Sequence, residues 1–253
     1  MNGNVTFSSL CEPANSSPLI PMPHILRAHD EAIAALAADI RHMGDLALQN
    51  LQNATFGLMK RDFKLCNQAI ADDGEVDELE KKIDRSAIDI ITRFGPKATD
   101  LRRVIASMKV STSLERISDH CVSLARRAKR ISERPVVPET NAIPELSALA
   151  GDQLRDSVAA FCDGDLEAAL CIQARDSLLD AAQLAFARSI IAKLETDSSN
   201  VKNYVDLLFI TRFIERIGDQ SVNIAEDAVY HLTALDTRHG GDLPPGGSRS
   251  ANS

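Results

Sequence analysis

From His29 to about Met59 the apolar residues Ile33, Leu36, Ile40, Met43, Leu46, Leu51 and Leu58 recur at helical intervals. This spacing predicts a long amphipathic helix, with Asp30 and Glu31 near its start, where negative charge is favourable. A second pattern runs from about Asp62 to Phe94 through Leu65, Ile70, Val76, Leu79, Ile83, Ile88 and Ile91; Gly74 is its weak point and Gly95-Pro96 its stop. A third, from about Thr99 to Glu133, alternates by three and four through Leu114, Ile117, Cys121, Leu124, Ala128 and Ile131. Arg134 to Ile143 breaks the period with two prolines and reads as a linker, and Pro144 suits the first turn of the next helix. Three more helices are expected at about 144–162, 165–194 and 200–236, the last after the capping cluster Asp197-Ser198-Ser199-Asn200.

The second three helices repeat the first three. Glu115-Arg116-Ile117-Ser118-Asp119 returns as Glu215-Arg216-Ile217-Gly218-Asp219, and Asp62, Asp73 and Asp77 return 103 positions on (73 to 176) as Asp165, Asp176 and Asp180. The line Ile217, Ser221, Ile224, Ala228 and Leu235 follows its first-half counterpart. The fold class is therefore all-α: two tandem, similar three-helix antiparallel bundles built from six long helices. The expected division is an N-terminal extension at 1–28, a first bundle at 29–133, a linker at 134–143, a second bundle at 144–237 and a tail at 238–253. The Pro, Gly and Ser content marks the two ends as disordered.

Composition narrows the classes. Hydrophobic residues make up 44% of the chain but aromatic ones only 4%, with no Trp and 12 Gly, which disfavours a sandwich or barrel. A formal charge of −8 gives the whole molecule no general attraction to nucleic acid or to an anionic membrane. No segment approaches the roughly 20 unbroken apolar residues of a membrane span, and residues 1–28 have no signal-peptide pattern. The five cysteines are odd in number and free of Cys-x-x-Cys spacing, so neither a disulfide framework nor a thiolate zinc site is indicated. A cytoplasmic location is expected.

Residues four apart on a helix lie on one face, so each Glu-x-x-x-Asp aims two carboxylates at one point. Like charges so placed call for compensation by a cation or a basic partner. The second helix of each bundle runs opposite the third, bringing Asp73 and Asp77 toward Glu115 and Asp119, and Asp176 and Asp180 toward Glu215 and Asp219, at interhelical distances of about 8 to 10 Å. Asn223 and Glu226 extend the second stripe, whereas the first has Ser123 and Arg126 there and thus fewer hard ligands and a nearby cation. An all-oxygen donor set suits Mg²⁺, Mn²⁺, Ca²⁺ or iron better than zinc or copper. The competing reading is a solvated acidic face paired with Arg212 and Arg216. Arg126, Arg127, Lys129, Arg130 and Arg134 form the one dense basic cluster, either stabilising a helix C-terminus or docking an acidic partner or a phosphate-like anion. No Glu-x-x-His pair, phosphate loop or nucleophile elbow is present, so no catalytic residue is assigned.

Leu114 to Asp119 and Ile214 to Glu226 resemble the paired motifs of the PhoU family of phosphate-uptake regulators. The segment from His29 to Gly44, the Asp73, Asp77 and Glu80 spacing and the Asp176, Asp180 pair are similar to that family too, over about residues 29 to 236. The resemblance implies two similar three-helix bundles with multinuclear metal clusters on the Glu/Asp-x-x-x-Asp motifs, the metal being iron, manganese, magnesium or zinc. It also implies a non-enzymatic negative regulator acting on the phosphate-importer ATPase and the phosphate-sensing histidine kinase. A homodimer is expected as well. The alternatives are a metal-dependent carboxylate-cluster enzyme and a metal-free helical scaffold.

Overall fold

The computed structural model describes residues 22–235. They form seven α-helices joined by short turns and one 3-10 turn: α1 (Met22–Lys60), α2 (Phe63–Ala71), α3 (Asp73–Phe94), α4 (Ala98–Ser132), the 3-10 turn Pro138–Ala142, α5 (Ile143–Asp163), α6 (Leu166–Thr196) and α7 (Val201–Thr233). No strand occurs among the described residues. Helix α1 starts at Met22 and not near His29, because Pro23 falls in the first turn, where no N–H partner is needed. Residues 22–28 of the expected extension are thus helical, while 1–21 and the 238–253 tail lie outside the described residues. Helix α7 ends at Thr233, with Ala234 left-handed (φ 63°) after it.

The expected helix over 62–94 is one rod interrupted at Asp72, which serves as C-cap of α2 and N-cap of α3. Beyond that break the buried line runs Val76, Leu79, Ile83, Ala87 and Ile90. Ile88, expected inside, is 53% exposed because Ala87 takes the inward position. In the second half the equivalent α6 is continuous.

Equivalent turns use equivalent devices. Asp62 and Asp165 each cap the helix that follows, accepting from Lys64 N (2.8 Å) and Ala168 N (3.0 Å). The residue before each cap is left-handed: Gly164 (φ 70°) in the second half and Arg61 (φ 55°) in the first. Arg61 carries a penalty of about 1 kcal/mol there, offset by its guanidinium donating to Ser132 O (2.5 Å) and Arg134 O (2.7 Å).

Helices α1, α2–α3 and α4 pack as one bundle and α5, α6 and α7 as the other. The two are joined along an antiparallel α4–α7 seam: Arg134 meets Asn203 at one end, and Arg102 meets the His231 carbonyl at the other. Helix α1 also packs on α5. Ile40, Met43, Leu114, Ile117, Leu154, Ile210 and Ile217, drawn from both halves, belong to one continuous aliphatic core. Burying each such side chain contributes about 1.5 to 3 kcal/mol.

Candidate metal centres

Each acidic site stands where the second and third rods of a bundle run side by side. In the second half, Asp176 and Asp180 sit one turn apart on α6 and Asp219 faces them from α7, with one carboxylate oxygen of each within 4.8 Å of the others. Ligands at about 2.1 to 2.4 Å from a common ion can be no farther apart than twice that distance, a condition the trio meets. Asp176 is half-buried, Asp180 and Asp219 exposed, which leaves the site open on one side.

The electrostatics agree with the crowding. Burial, then the charges of Asp180 and Asp219, push the Asp176 carboxyl up from the ordinary carboxylate range, while a hydrogen bond from Gln153 opposes the rise. Asp219 is raised by burial and by Asp180, against the pull of Arg212 and Arg216. The arginines thus compensate the cluster only in part.

Glu215 is held differently. Its carboxylate accepts from Arg212 on the same helix, although burial and the Asp219 charge still raise its pKa. Asn223 lines a separate cleft of about 520 Å³ between the halves, with Asp84, Lys109, Thr112, Arg116 and Asp227. Glu215 and Asn223 therefore stand outside the compact trio.

In the first half the four acids gather without converging as tightly. Burial and then Asp119, Glu80, Asp77 and Asp73 all raise the Glu115 carboxyl. Asp73 is raised by burial and lowered by a Ser118 hydrogen bond; Asp77 and Asp119 raise it further and the Arg126 charge lowers it. Among the described residues only the second-half trio brings three such oxygens within 4.8 Å. His120 takes no part, its ring stacking on Phe213 with centroids 6.1 Å apart.

The basic cluster is largely structural. Arg127 and Arg134 both donate to the buried Asp206 (2.5 and 2.7 Å), and Lys129 donates to Asn67 (2.7 Å).

The sequence reading passed over a set of buried polar residues behind the carboxylates. Asn50 and Ser118 are fully buried and Gln153 nearly so; Asn50 donates to Ser118, and Ser118 and Gln153 hold down the pKa of Asp73 and Asp176. The available signal was the spacing, since Asn50 and Gln153 are related by the same 103 positions (50 to 153) as Asp73 and Asp176.

The PhoU domain model matches this chain twice, over residues 40–128 and 143–228. A phosphate-specific transport system accessory protein PhoU homolog of Xylella fastidiosa (strain 9a5c) is 30% identical over 209 residues, 83% of this chain and 88% of its own length. Its namesake in Caulobacter vibrioides (strain NA1000 / CB15N) is 31% identical over 211 residues, 83% of this chain and 92% of its own. The crystal structure of PhoU from Pseudomonas aeruginosa superposes with a TM-score of 0.78 at 26% identity, covering 83% of this chain and 99% of that one. The phosphate transport system regulatory protein PhoU from Streptococcus pneumoniae shares the fold, with a TM-score of 0.77 at 24% identity over 85% and 100% of the two chains.

Proposed function

This chain belongs to the PhoU family, and from that premise we propose that it is a regulatory adaptor of phosphate import that works by binding and not by turnover. The observation that carries this reading is the correspondence of the duplicated helical architecture, over 83% of the chain, with PhoU proteins named as accessory components of phosphate transport. Its partners would be the importer ATPase subunit and the phosphate-sensing histidine kinase, both restrained when phosphate is plentiful. No helix among the described residues is long and apolar enough to cross a membrane, which is compatible with action from the cytoplasm, as a homodimer of chains that each hold two bundles divided by the 134–143 linker.

A hard cation held by Asp176, Asp180 and Asp219 would neutralise three carboxylates and tie α6 to α7. Iron, manganese and magnesium suit that oxygen-only set best. Glu115, Asp119, Asp73 and Asp77 would form a second, looser centre, with Glu215 and Asn223 as outlying donors. The expected role is stiffening of a partner-binding surface.

Co-purification tests the adaptor. The tagged chain should retain the importer ATPase or the sensor kinase from cells grown in phosphate-rich medium, and retain neither after phosphate starvation. A deletion strain should keep a starvation reporter switched on at high phosphate. Loss of neither partner nor repression would overturn the proposal.

A further inference from the structure

We propose that the outward face of α6 packs against the same face of a second copy of the chain, the two helices running antiparallel about a two-fold axis between Leu184 and Ala185. The inference rests on the homodimer named above and assigns it a surface; it does not depend on the acidic sites holding a metal.

Helices α3 and α6 hold the same place in their bundles and are turned the same way: Val76, Ile83 and Ala87 of one, and Leu179, Phe186 and Ile190 of the other, are buried at matching positions 103 apart (76 to 179). Their outer faces can therefore be compared position by position. On α3 the exposed residues include Glu75, Glu78, Lys81, Lys82 and Asp89; the matching exposed residues of α6 are Leu178, Ala181, Leu184, Ala185 and Ala192. Arg85 and Ile88 recur as Arg188 and Ile191. The fold thus accepts a charged outer face here, and nothing in the architecture requires α6 to lack one. Yet Leu178, Leu184 and Ile191 stand 60%, 48% and 52% exposed. A contiguous apolar stripe of this kind marks a surface that another molecule covers.

Three features identify the occupant as another copy. From Leu178 to Ala192 the stripe carries one cation, Arg188, in a chain of formal charge −8, which disfavours an anionic membrane. The stripe is also symmetric about its own centre. A two-fold between Leu184 and Ala185 sets Leu178 opposite Ile191 of the second copy and Leu184 opposite its Ala185, while the small Ala181 and Ala185 let the helix axes approach to about 8 Å. Charge is matched by the same operation. Arg188 comes to lie over Ala181 of the second copy, beside its Asp180, an exposed member of the acidic trio, and the two Arg188 side chains stay about 10 Å apart along the axis.

At 1.5 Å per residue the stripe is about 21 Å long. A single helix pair of that length lies at the low end of the roughly 1,200 to 2,000 Å² that specific interfaces bury, so the dimer should be reversible, dissociating in the micromolar range.

The test gives α6 the outer face of α3. Leu178→Glu, Ala181→Glu, Leu184→Lys and Ala185→Lys are combined in the full chain, and sedimentation equilibrium is run beside the wild type from about 0.1 to 100 µM, with Tm recorded for both. The wild type should pass from monomer to dimer, and the folded variant should stay monomeric, its Kd raised at least about 100-fold. Disulfide capture reads the register. With Cys11→Ser and the exposed Cys171→Ser as background, Ala185→Cys should give a covalent dimer on mild oxidation and Ile191→Cys should not, because Ile191 and its copy stand about 20 Å apart along the axis, against the roughly 7 Å that a disulfide spans between Cα atoms.

A folded variant that dimerises like the wild type would overturn the assignment and leave the homodimer on another face. A wild type that is monomeric throughout would overturn both, while co-purification still decides the adaptor reading; if the four substitutions then abolish retention of the importer ATPase or the sensor kinase, the face belongs to that partner. Should the variant lose its fold, the cysteine pair decides, and capture at both positions or at neither overturns the antiparallel pairing.

Discussion

Asp206 is a buried carboxylate held between two guanidinium groups at one end of the α4–α7 seam. Arg127 and Arg134 both donate to it, and Arg127 also lies over the Phe209 ring, 3.8 Å from its centroid. Removing one partner of a buried ion pair leaves the rest uncompensated, at a cost of about 3 to 5 kcal/mol. Asp206→Ala installs the residue found at the equivalent first-half position, Ala106, yet should destabilise by that amount in urea denaturation; a loss under about 1 kcal/mol would refute the clamp. His231 is the opposite case, a buried imidazole with neither ring nitrogen bonded, set edge-on to Phe161. Burial, helped by Arg103, lowers its pKa from the ordinary 6.5 to about 4. The unfolded chain therefore takes up the proton first. Stability from the neutral ring is complete above about pH 6.5 and is lost as the pH falls toward 4. At about 1.4 kcal/mol per unit, roughly 2 kcal/mol has gone by pH 5. His231→Ile, which again copies the other half (Ile131), should flatten that slope; urea midpoints at pH 7 and pH 5 that shift as much in the variant as in the wild type would contradict it.

At the scale of elements, Gly218 stands against Leu179 and Gln153, where the first half has Ser118, Val76 and Asn50, and this exchange of volumes makes its own prediction. Gly218→Ser alone forces an atom against Leu179 and should cost about 1 to 3 kcal/mol. Adding Leu179→Val and Gln153→Asn, which makes the second half copy the first, should bring stability back to within about 1 kcal/mol of the wild type. A triple variant no more stable than the single would show that the two halves are not interchangeable there. The helices themselves were legible because their apolar positions hold a three-four period over many turns. The break at Asp72 was legible only in part: Gly74 marked a weak point, but not the place of the break two residues earlier. Ala87 and not Ile88 faces inward because it stands four residues from Ile83 where Ile88 stands five. For the site, spacing along one helix told which acids stack, and the opposed direction of neighbouring rods told which approach one another. It also offered Arg212 as a partner of the acidic face, which is the i, i+3 pairing Glu215 makes, but it could not tell that Asn223 faces a cleft, because that depends on rotation of α7 about its axis. Buried amides such as Gln153 escaped a reading that looked for charge.

At the scale of the whole molecule, the two bundles share one core through α4 and α7 instead of standing apart on the linker. A division into two separately stable units would show two unfolding steps. The shared core predicts one: circular dichroism and chemical denaturation should give coincident single transitions, with calorimetric and van't Hoff enthalpies in agreement. Two resolved steps would mean that the α4–α7 contact is weaker than its burial suggests.

The ends of that seam are chemically unlike. At one, Lys109 of α4 meets Asp227 of α7 at 3.5 Å and lies over the Tyr230 ring; at the other, Arg127 of α4 meets Asp206 and Phe209 of α7. Were two α4 helices to pair in the same antiparallel fashion, as between separate molecules, Lys109 would confront Arg127; two α7 helices would set Asp227 against Phe209. Only the unlike partners satisfy both ends. A single chain carrying both halves makes that match with itself at high effective concentration, and the charge pattern opposes the pairing of like halves between molecules through α4 or α7.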